Sequence, residues 1–275
     1  MLREHPHAKV LAGGQSLIPV LSMRLARPTH LVDLGGIPDL DRIQVRDDSV
    51  RVEAMVRHAQ LLDDDDAYAA LPLLRQALAN VAHPAIRNRG TTVGSIAHAD
   101  AAGEMPSILA ITDGVVEAVG PDGRREIGAA DFFAGPLETT LAHDEIVAAV
   151  RFGRFPAGTR TAFLESARRH GDYALAGVAV ALTLDREGRI ETARASFVSV
   201  TDVPGVLDLT DPLAGAHPGE VDWSVIDATV QSHLMPESDI HASADYRAQL
   251  ARVLTARVLR AAYDDAGARR PEGTR

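Results

Sequence analysis

Cysteine is absent from this sequence of 275 residues. Its absence excludes a disulfide framework, a thiolate zinc site, a cysteine ligand for an iron–sulfur cluster and a thiol nucleophile. Lysine is almost absent as well, because Lys9 is the only lysine among the 28 Lys and Arg residues. No Gly-Lys-Ser or Gly-Lys-Thr triplet occurs, so the sequence does not contain a nucleotide-binding P-loop.

Positive charge and long apolar runs are also scarce. The 38 Asp and Glu residues outnumber the basic residues, and the formal charge of −10 argues against binding to a nucleic-acid backbone. No run approaches the roughly 18 apolar residues of a membrane span, and no secretion signal is recognisable. The composition therefore predicts a cytoplasmic globular protein, and at roughly 100–200 residues per domain it predicts two or three packed units.

The start of the chain has the pattern of a β-Gly-α-β unit. A short apolar strand is predicted at residues 8–12, and it ends in Gly13 and Gly14. Ser16 is predicted to cap a helix with apolar residues at helical spacing, and a second strand is predicted at residues 30–34. Such a unit is common in proteins that combine helices and strands in one domain.

The rest of the chain is predicted to alternate helices with strands. The four carboxylates at residues 63–66 precede a predicted helix, where negative charge favours the helix dipole. Small residues and two glycines predict a loop at residues 86–100. Beyond a domain junction at residues 153–158, strands are predicted at 161–167, 177–184 and 189–200, and helices at about 223–234 and 243–266. A sheet with helices on one face is the expected packing.

Two segments of small residues are candidates for an anion site. The first joins the predicted strand to the helix, and the second comprises residues 90–95. Small residues let successive backbone N–H groups approach an anion, and two such segments suggest a dinucleotide diphosphate held from both sides. The sequence contains no Gly-x-Gly-x-x-Gly, so a Rossmann NAD site is not predicted.

Four stretches resemble one protein family and occur in that family's order. They are AKVLAGGQSLIPVLSMRLARPTHLVDL, HPAIRNRGTTVGSIAHADAAGEMPSILAI, FLESARRHGDYALAGVAVAL and SADYRAQLARVLTARVL. The chain resembles the FAD-binding (medium) subunit of the molybdenum hydroxylases, the family of aerobic carbon monoxide dehydrogenase and xanthine dehydrogenase. The resemblance covers about residues 8 to 265, and several dispersed motifs make it specific.

The resemblance implies an α+β fold of the p-cresol methylhydroxylase type, with two subdomains that hold FAD between them. These would be residues 1–50, apparently short at the front, and 51–155. Residues 160–267 would form a C-terminal flavoprotein domain with an antiparallel three-stranded sheet and helices. The residues that match the family's two diphosphate loops, its acidic residue near the cofactor's hydroxyl groups and its stretch near the flavin are Val10, Leu11, Ala12, Gly13, Gly14, Gln15, Ser16, Leu17, Thr91, Gly94, Ser95, Ala97, Glu104, Asp172 and Tyr173.

The implied activity is that of an oxidoreductase subunit. A molybdopterin-binding large subunit would oxidise the substrate, and a [2Fe-2S] small subunit would pass the electrons to FAD on this chain. The assembly would be a hetero-oligomer, namely a dimer of heterotrimers, with no nucleic acid and no membrane span. No residue of this chain is predicted to be catalytic towards the substrate. A stand-alone FAD oxidoreductase of the same fold and a non-enzymatic descendant without FAD are the alternatives.

Two departures from the family pattern have structural consequences. The family usually has glycine where this chain has Val93, and the Cβ of valine is expected to crowd a phosphate or shift the loop. Relatives normally have a further strand and helix where only Met1 to His7 precede the first motif. His98 and Asp100 form a polar pair without a third ligand at a useful spacing, so no metal site is predicted.

Overall fold

A computed structural model of the chain describes residues 1–268. The β-Gly-α-β unit is present, with strand β1 at Lys9–Leu11, helix α1 at Leu17–Ser22 and strand β2 at Leu31–Asp33. The two strands pair in parallel, with Lys9 opposite Leu31. The capping prediction for Ser16 is wrong: its backbone already has helical angles and its side chain makes no capping hydrogen bond. A capping serine needs an extended backbone to place its hydroxyl over the first turn.

The region after the first unit begins with a hairpin and continues as short helices. Its elements are β3 (Ile43–Val45), β4 (Ser49–Glu53), α2 (His58–Asp63), α3 (Asp65–Ala70) and α4 (Pro72–Leu78). The four carboxylates do not precede one long helix. Asp64 caps α3 by accepting a 2.7 Å hydrogen bond from the N–H of Ala67, and α3 stops before Pro72 because proline cannot continue a helix.

The loop prediction for residues 86–100 is wrong. Helix α5 occupies Pro84–Arg87 and helix α6 occupies Thr92–His98. Thr91 caps α6 by accepting a hydrogen bond from the N–H of Gly94, and Ile96 is fully buried. The sequence pattern indicated a loop because threonine, valine and glycine have poor helix propensity. Capping by Thr91 and burial of the apolar side of the helix offset that poor propensity.

A five-stranded antiparallel sheet forms the centre of the first 154 residues. After helix α7 (Glu104–Ile111), the remaining elements of this region are β5 (Val115–Gly120), β6 (Gly123–Gly128), α8 (Ala129–Phe132), β7 (Phe133–Gly135), β8 (Glu138–Thr139) and β9 (Ile146–Gly153). The strand order is β3-β4-β9-β5-β6, so the last strand of the region lies in the middle of the sheet. β7 and β8 pair with each other in a separate ribbon.

The C-terminal region contains a second antiparallel sheet. Its elements are β10 (Arg160–Ala167), β11 (Ala174–Leu184), β12 (Ile190–Val198), β13 (Val206–Asp208), α9 (Thr210–Leu213), α10 (Trp223–His233) and α11 (Ala244–Ala268). The prediction of a three-stranded sheet is wrong, because β13 adds a fourth strand and gives the order β10-β11-β12-β13. This strand has only three residues and follows Pro204, so it shows no alternating pattern long enough to recognise.

Two hydrophobic cores stabilise the fold. The larger core includes Phe152 and Ile108 of the first region, and it continues into Phe163 of β10. The smaller core lies between the C-terminal sheet and helices α10 and α11. Helix α7 packs against β11 and β12, and the hydroxyl of Ser107 donates a 2.5 Å hydrogen bond to the carbonyl oxygen of Phe197. The α+β architecture predicted from the sequence is therefore present, and α7 joins the two regions. None of the helices within residues 1–268 is long and apolar enough to cross a membrane.

Candidate functional site

The two glycine-containing segments lie directly against each other. A Cβ atom added to Gly13 would collide with the carbonyl oxygen of Arg89 and would lie 2.7 Å from the Cα of Gly90 and 2.9 Å from the backbone nitrogen of Thr91. Only a residue without a Cβ allows the two backbones to approach this closely. The packing therefore brings together two segments that the sequence analysis predicted to act on the same ligand.

Both segments have backbone geometry that depends on glycine. Gly14 has a φ of +73°, which lies in the left-handed region and turns the chain from β1 into α1. A Cβ atom on Gly94 would lie 2.5 Å from the hydroxyl oxygen of Thr91 and 3.8 Å from the Cβ of Ala12. The absence of a Cβ at Gly94 therefore lets the Thr91 hydroxyl pack against the start of α6, close to Ala12.

Unpaired backbone donors mark the first segment. The N–H groups of the four residues from Gly13 to Ser16 donate no hydrogen bond within residues 1–268. The amide of Gln15 folds back instead, and its Nε2 donates to the carbonyl oxygen of Gly13 at 3.2 Å. Buried or half-buried N–H groups normally have a partner, and successive unpaired ones form a concave site for an anion.

The second segment is held rigidly beside the first. The Thr91 side chain is 3% exposed, and its hydroxyl accepts a 3.1 Å hydrogen bond from the N–H of Gly94. The N–H of Ser95 donates to the Thr91 carbonyl oxygen at 3.0 Å, while Ala97 lies exposed near the end of α6. Val93 is 2% exposed and packs in the larger hydrophobic core. The expectation that its side chain crowds a phosphate is therefore wrong, because the valine packs into the protein interior.

Two further carboxyl groups have raised pKa values, one at the start of α7 and one on β10. Glu104 begins α7 and is 8% exposed, and burial, together with the charge of Asp100, raises its pKa to about 7. Glu165 on β10 is missing from the sequence prediction. Burial, and then the charge of Glu104, raises the pKa of Glu165 to about 8. Its Oε2 atom is buried and has no hydrogen-bond partner among the described residues.

One sequence signal could have drawn attention to Glu165. It is a charged residue in a predicted strand, and the adjacent strand places Gly177 directly opposite it. A glycine opposite a glutamate leaves space beside the carboxyl group, and a Cβ on Gly177 would lie 3.3 Å from the Cβ of Glu165. The register of the two strands had to be known before this pairing could be recognised.

Asp172 and Tyr173 lie on a cleft of about 890 Å³ between the two regions of the chain. Asp100 and Leu137 belong to the wall on the first region, and Arg168 and Met235 belong to the wall on the C-terminal region. Partial desolvation of the Tyr173 hydroxyl, and then the charges of Asp100 and Glu104, raises its pKa. Glu104 thus lies within electrostatic reach of both Glu165 and Tyr173, whereas none of the residues Val10 to Leu17 lines the cleft.

The structure therefore groups the predicted residues into two sets. The first set is the junction of the two glycine-containing segments, and the second consists of the cleft residues Asp172 and Tyr173. Glu104 is linked electrostatically to the cleft, because the charge of Asp100, which lines the cleft, helps to raise its pKa. No cluster of three or more metal-ligating side chains occurs within residues 1–268.

Comparison with known protein families agrees with this arrangement. Residues 1–154 match the model of the FAD binding domain in molybdopterin dehydrogenase. Residues 161–262 match the model of the CO dehydrogenase flavoprotein C-terminal domain. The order of the two matches is the order of the two regions in the fold.

Individual relatives extend over nearly the whole chain. The nicotine 6-hydroxylase medium subunit of Paenarthrobacter nicotinovorans is 41% identical over 260 residues, which are 94% of this chain and 91% of the relative. The crystal structure of quinoline 2-oxidoreductase from Pseudomonas putida 86 contains a chain with a TM-score of 0.89 and 37% identity, covering 96% of this chain and 92% of that one. Reconstituted CO dehydrogenase from Oligotropha carboxidovorans gives a TM-score of 0.90 at 32% identity, with the same coverage. This chain belongs to the family of FAD-binding medium subunits of molybdenum hydroxylases.

Proposed function

We propose that this chain holds FAD with its diphosphate at the junction of the two glycine-containing segments. The observation that supports this most strongly is the run of four unpaired N–H groups from Gly13 to Ser16, next to the contact between Gly13 and Gly90. Four donors without protein partners suit the oxygen atoms of a diphosphate, and the missing Cβ of Gly13 lets the second segment pack directly beside these donors. The residues present therefore fit the cofactor that the family binds.

The remaining predicted residues would hold other parts of the same molecule. Thr91, Gly94, Ser95 and Ala97 would contact the diphosphate from the side opposite to the segment from Val10 to Leu17. Glu104 would accept or donate hydrogen bonds to the hydroxyl groups of the cofactor, since its raised pKa makes both protonation states accessible near neutral pH. Asp172 and Tyr173 would approach the flavin at the cleft.

The chain would act as one electron carrier in a larger oxidoreductase. FAD supplies the ability to take up electrons one or two at a time and to release them to an acceptor. The chain has no cysteine, so iron–sulfur clusters that deliver these electrons must belong to another subunit. We propose a [2Fe-2S] small subunit and a molybdopterin-binding large subunit as partners, in a cytoplasmic dimer of heterotrimers.

Residues 1–50, 51–155 and 160–267 remain our proposed division of the chain into two FAD-binding subdomains and a C-terminal flavoprotein domain. The stand-alone oxidoreductase reading is not favoured, because relatives of nearly equal length are named as subunits of dehydrogenases or hydroxylases. The proposal assigns this chain the binding and orientation of FAD, and it assigns substrate oxidation to the partner.

The substrate class can be proposed from two of the similar proteins. Their names specify nicotine and quinoline, which are both nitrogen heteroaromatic compounds. We propose that the complete enzyme hydroxylates a nitrogen heteroaromatic ring. The substrate would bind on the large subunit, so the residues of this chain would affect its turnover only through electron transfer.

Co-expression with the genes of a molybdopterin-binding large subunit and a [2Fe-2S] small subunit provides the test. The purified complex should show flavin absorption bands that bleach when quinoline or nicotine is added without an acceptor. The full chain alone should quench the fluorescence of added FAD in a saturable titration. A folded chain that neither retains nor binds FAD would contradict the cofactor assignment. A complex that contains FAD and bleaches only with carbon monoxide would contradict the substrate class alone.

A further inference from the structure

His58 is buried directly behind the second glycine-containing segment. It begins helix α2 and is 4% exposed. Its Nδ1 atom lies 3.2 Å from the hydroxyl oxygen of Thr92, which is itself fully buried. The backbone N–H of His58 donates to the carbonyl oxygen of Gly90 at 3.0 Å. The backbone N–H of Thr92 donates to the carbonyl oxygen of Val56 at 3.2 Å. Main chain and side chain thus attach α2 to both ends of the turn from Gly90 to Thr92.

The imidazole ring also contacts this turn through van der Waals packing. A Cβ atom on Gly90 would lie 3.1 Å from the Cδ2 atom of His58 and 3.5 Å from the Cγ atom of Gln15. The ring of His58 and the side chain of Gln15 in the first glycine-containing segment therefore both lie close to Gly90. The contact between Gly90 and Gly13 continues this series of contacts from the protein interior to the unpaired N–H groups.

The imidazole is held in its neutral form. Burial, and then the charge of Arg87, lowers the pKa of His58 to about 4. Arg57 precedes His58 in the chain, and its guanidinium donates to the carbonyl oxygen of Arg89. Arg87 donates to the carbonyl oxygens of Val81 and Ala82, both at 2.8 Å. Arg87 is thus the cation that acts on the imidazole, and the ring serves as an uncharged hydrogen-bonding group.

We infer that His58 is a positioning residue for FAD binding: through Thr92 and Gly90 it fixes the second glycine-containing segment against the first. The inference rests on the proposed function, because it assumes that FAD lies at this junction. The separation of the two segments determines whether donors on both sides reach the same diphosphate. A change at His58 would alter that separation without removing any group that touches the cofactor.

Titration of the full chain with FAD, before and after substitution of His58, tests this inference. His58→Phe keeps the ring volume and removes Nδ1, so the second segment should shift relative to the first and FAD binding should weaken about tenfold. His58→Asn places an amide near the position of Nδ1 and should restore the affinity to within about threefold of the original. Thr92→Val should match His58→Phe, and the double variant should be no weaker than either single one.

The melting temperature of the cofactor-free chain separates positioning from general stability. His233→Phe is the matched control, because His233 is half-buried and its ring packs at a tilt of 41° against Phe197 in the C-terminal region. It should leave FAD affinity unchanged. If His58→Phe fails to fold, Thr92→Val still reports on the same hydrogen bond.

Three outcomes distinguish the possibilities. Weakened binding that His58→Asn restores, at a similar melting temperature, supports the inference. Unchanged affinity in His58→Phe or Thr92→Val, or a loss that follows the melting temperature and is not restored by asparagine, overturns it. A lack of saturable FAD binding by the unsubstituted chain contradicts the proposed function itself, and it is therefore distinguishable from failure of the inference about His58.

Discussion

The backbone of Gly13 lies against that of Gly90, and an added Cβ on Gly13 would be 2.7 Å from the Gly90 Cα. This contact joins two parts of the chain that contribute to different structural elements. Gly13 follows β1, whereas Gly90 lies between α5 and α6. The close approach leaves the N–H groups next to Gly13 without protein partners, and this is the arrangement that an anionic ligand requires.

Gly13→Ala should therefore weaken FAD binding strongly. Backbone atoms surround the new methyl group and cannot rotate away, so the two segments must separate by a fraction of an ångström or more. We expect a loss of affinity of at least about tenfold and a destabilisation of about 1–3 kcal/mol, as for other overpacked sites. FAD titration and urea unfolding of the same variant measure the two effects.

Gly36→Ala is the control for this substitution, since Gly36 belongs to the same β-Gly-α-β unit and no atom lies within 4 Å of its added Cβ. It should bind FAD like the unsubstituted chain. Equal affinities for Gly13→Ala and Gly36→Ala would show that the contact between the two segments is irrelevant to the cofactor.

The features that sequence analysis could predict are those that depend on local signals. Gly13 and Gly14 mark the turn from β1 into α1, and the apolar spacing that follows them indicates a helix. The order of four dispersed motifs identified the family, and with it the cofactor. The residues matched to the family's contacts with FAD stay a prediction. The C-terminal strands β10 to β12 were predicted because their apolar runs are long and are separated by clear turns.

The features that it could not predict depend on packing between distant parts of the chain. Helix α6 has a sequence typical of a loop, and it forms because Ile96 and Val93 are buried in the larger core. The carboxyl group of Glu165 meets that of Glu104 only because α7 packs on the C-terminal sheet. His58 is similarly a lone histidine in the sequence, and its contact with Thr92 becomes evident only in the folded chain.

The buried carboxyl groups predict a dependence of stability on pH. Their pKa values, about 7 for Glu104 and about 8 for Glu165, lie above the ordinary value of 4.5. The folded protein therefore keeps protons that the unfolded chain has already lost between these values. The associated stability is fully present below about pH 4.5 and is lost as the pH rises through about 7 to 8. Urea unfolding of the cofactor-free chain across this range should show the decline.

Glu165→Gln should remove much of that decline, because a glutamine cannot ionise. Above the raised pKa of Glu165, we expect the free energy of unfolding of the variant to exceed that of the original chain by about 1–3 kcal/mol. This difference is smaller than the cost of burying a charge completely. Glu191→Gln is the control, since Glu191 is exposed on β12. A pH profile of Glu165→Gln that is parallel to those of the original chain and this control would contradict the assignment of the decline to Glu165.

An ion-pair network on the five-stranded sheet predicts an acid-sensitive contribution to stability. Arg51 binds Glu117 in a bidentate manner, with Nε and Nη2 donating at 2.9 and 2.8 Å, and Arg151 donates to Glu117 at 3.3 Å. The hydrogen bonds from Arg51 lower the pKa of Glu117. Its stabilising effect is therefore present at neutral pH and is lost as the pH falls below the ordinary range of a glutamate.

Glu117→Gln should lower the free energy of unfolding by about 1–3 kcal/mol at neutral pH. This loss is smaller than the loss expected for breaking a fully buried ion pair, because water still reaches part of the network. Glu126→Gln is the matched control: Glu126 pairs with Arg151 on the same sheet but is 60% exposed, so little change is expected. Similar unfolding midpoints in urea for the two variants would contradict the importance of the bidentate pair.

Arg247 links helix α11 to one wall of the cleft. Its guanidinium is 8% exposed, and it donates through Nη1 to the carbonyl oxygen of Leu175 at 2.8 Å and through Nη2 to Asp239 at 2.7 Å. Asp239 in turn accepts hydrogen bonds from the N–H groups of His241 and Ala242. One buried side chain thus orders both the strand that follows Tyr173 and the segment of residues 235–242.

Arg247→Met should loosen this wall while it preserves the packing of the side-chain stem. The Leu175 carbonyl loses a partner, so we expect the free energy of unfolding to fall by about 2 kcal/mol and amide exchange at residues 235–242 to accelerate. Arg247→Lys should recover less than half of the loss, because an ammonium group cannot reproduce the two-pronged geometry.

Arg252→Met is the control, since Arg252 lies on the same helix and binds Asp227 of α10 at 2.7 Å. It should leave exchange at residues 235–242 unchanged, and acceleration of equal size in both variants would assign the effect to α11 as a whole.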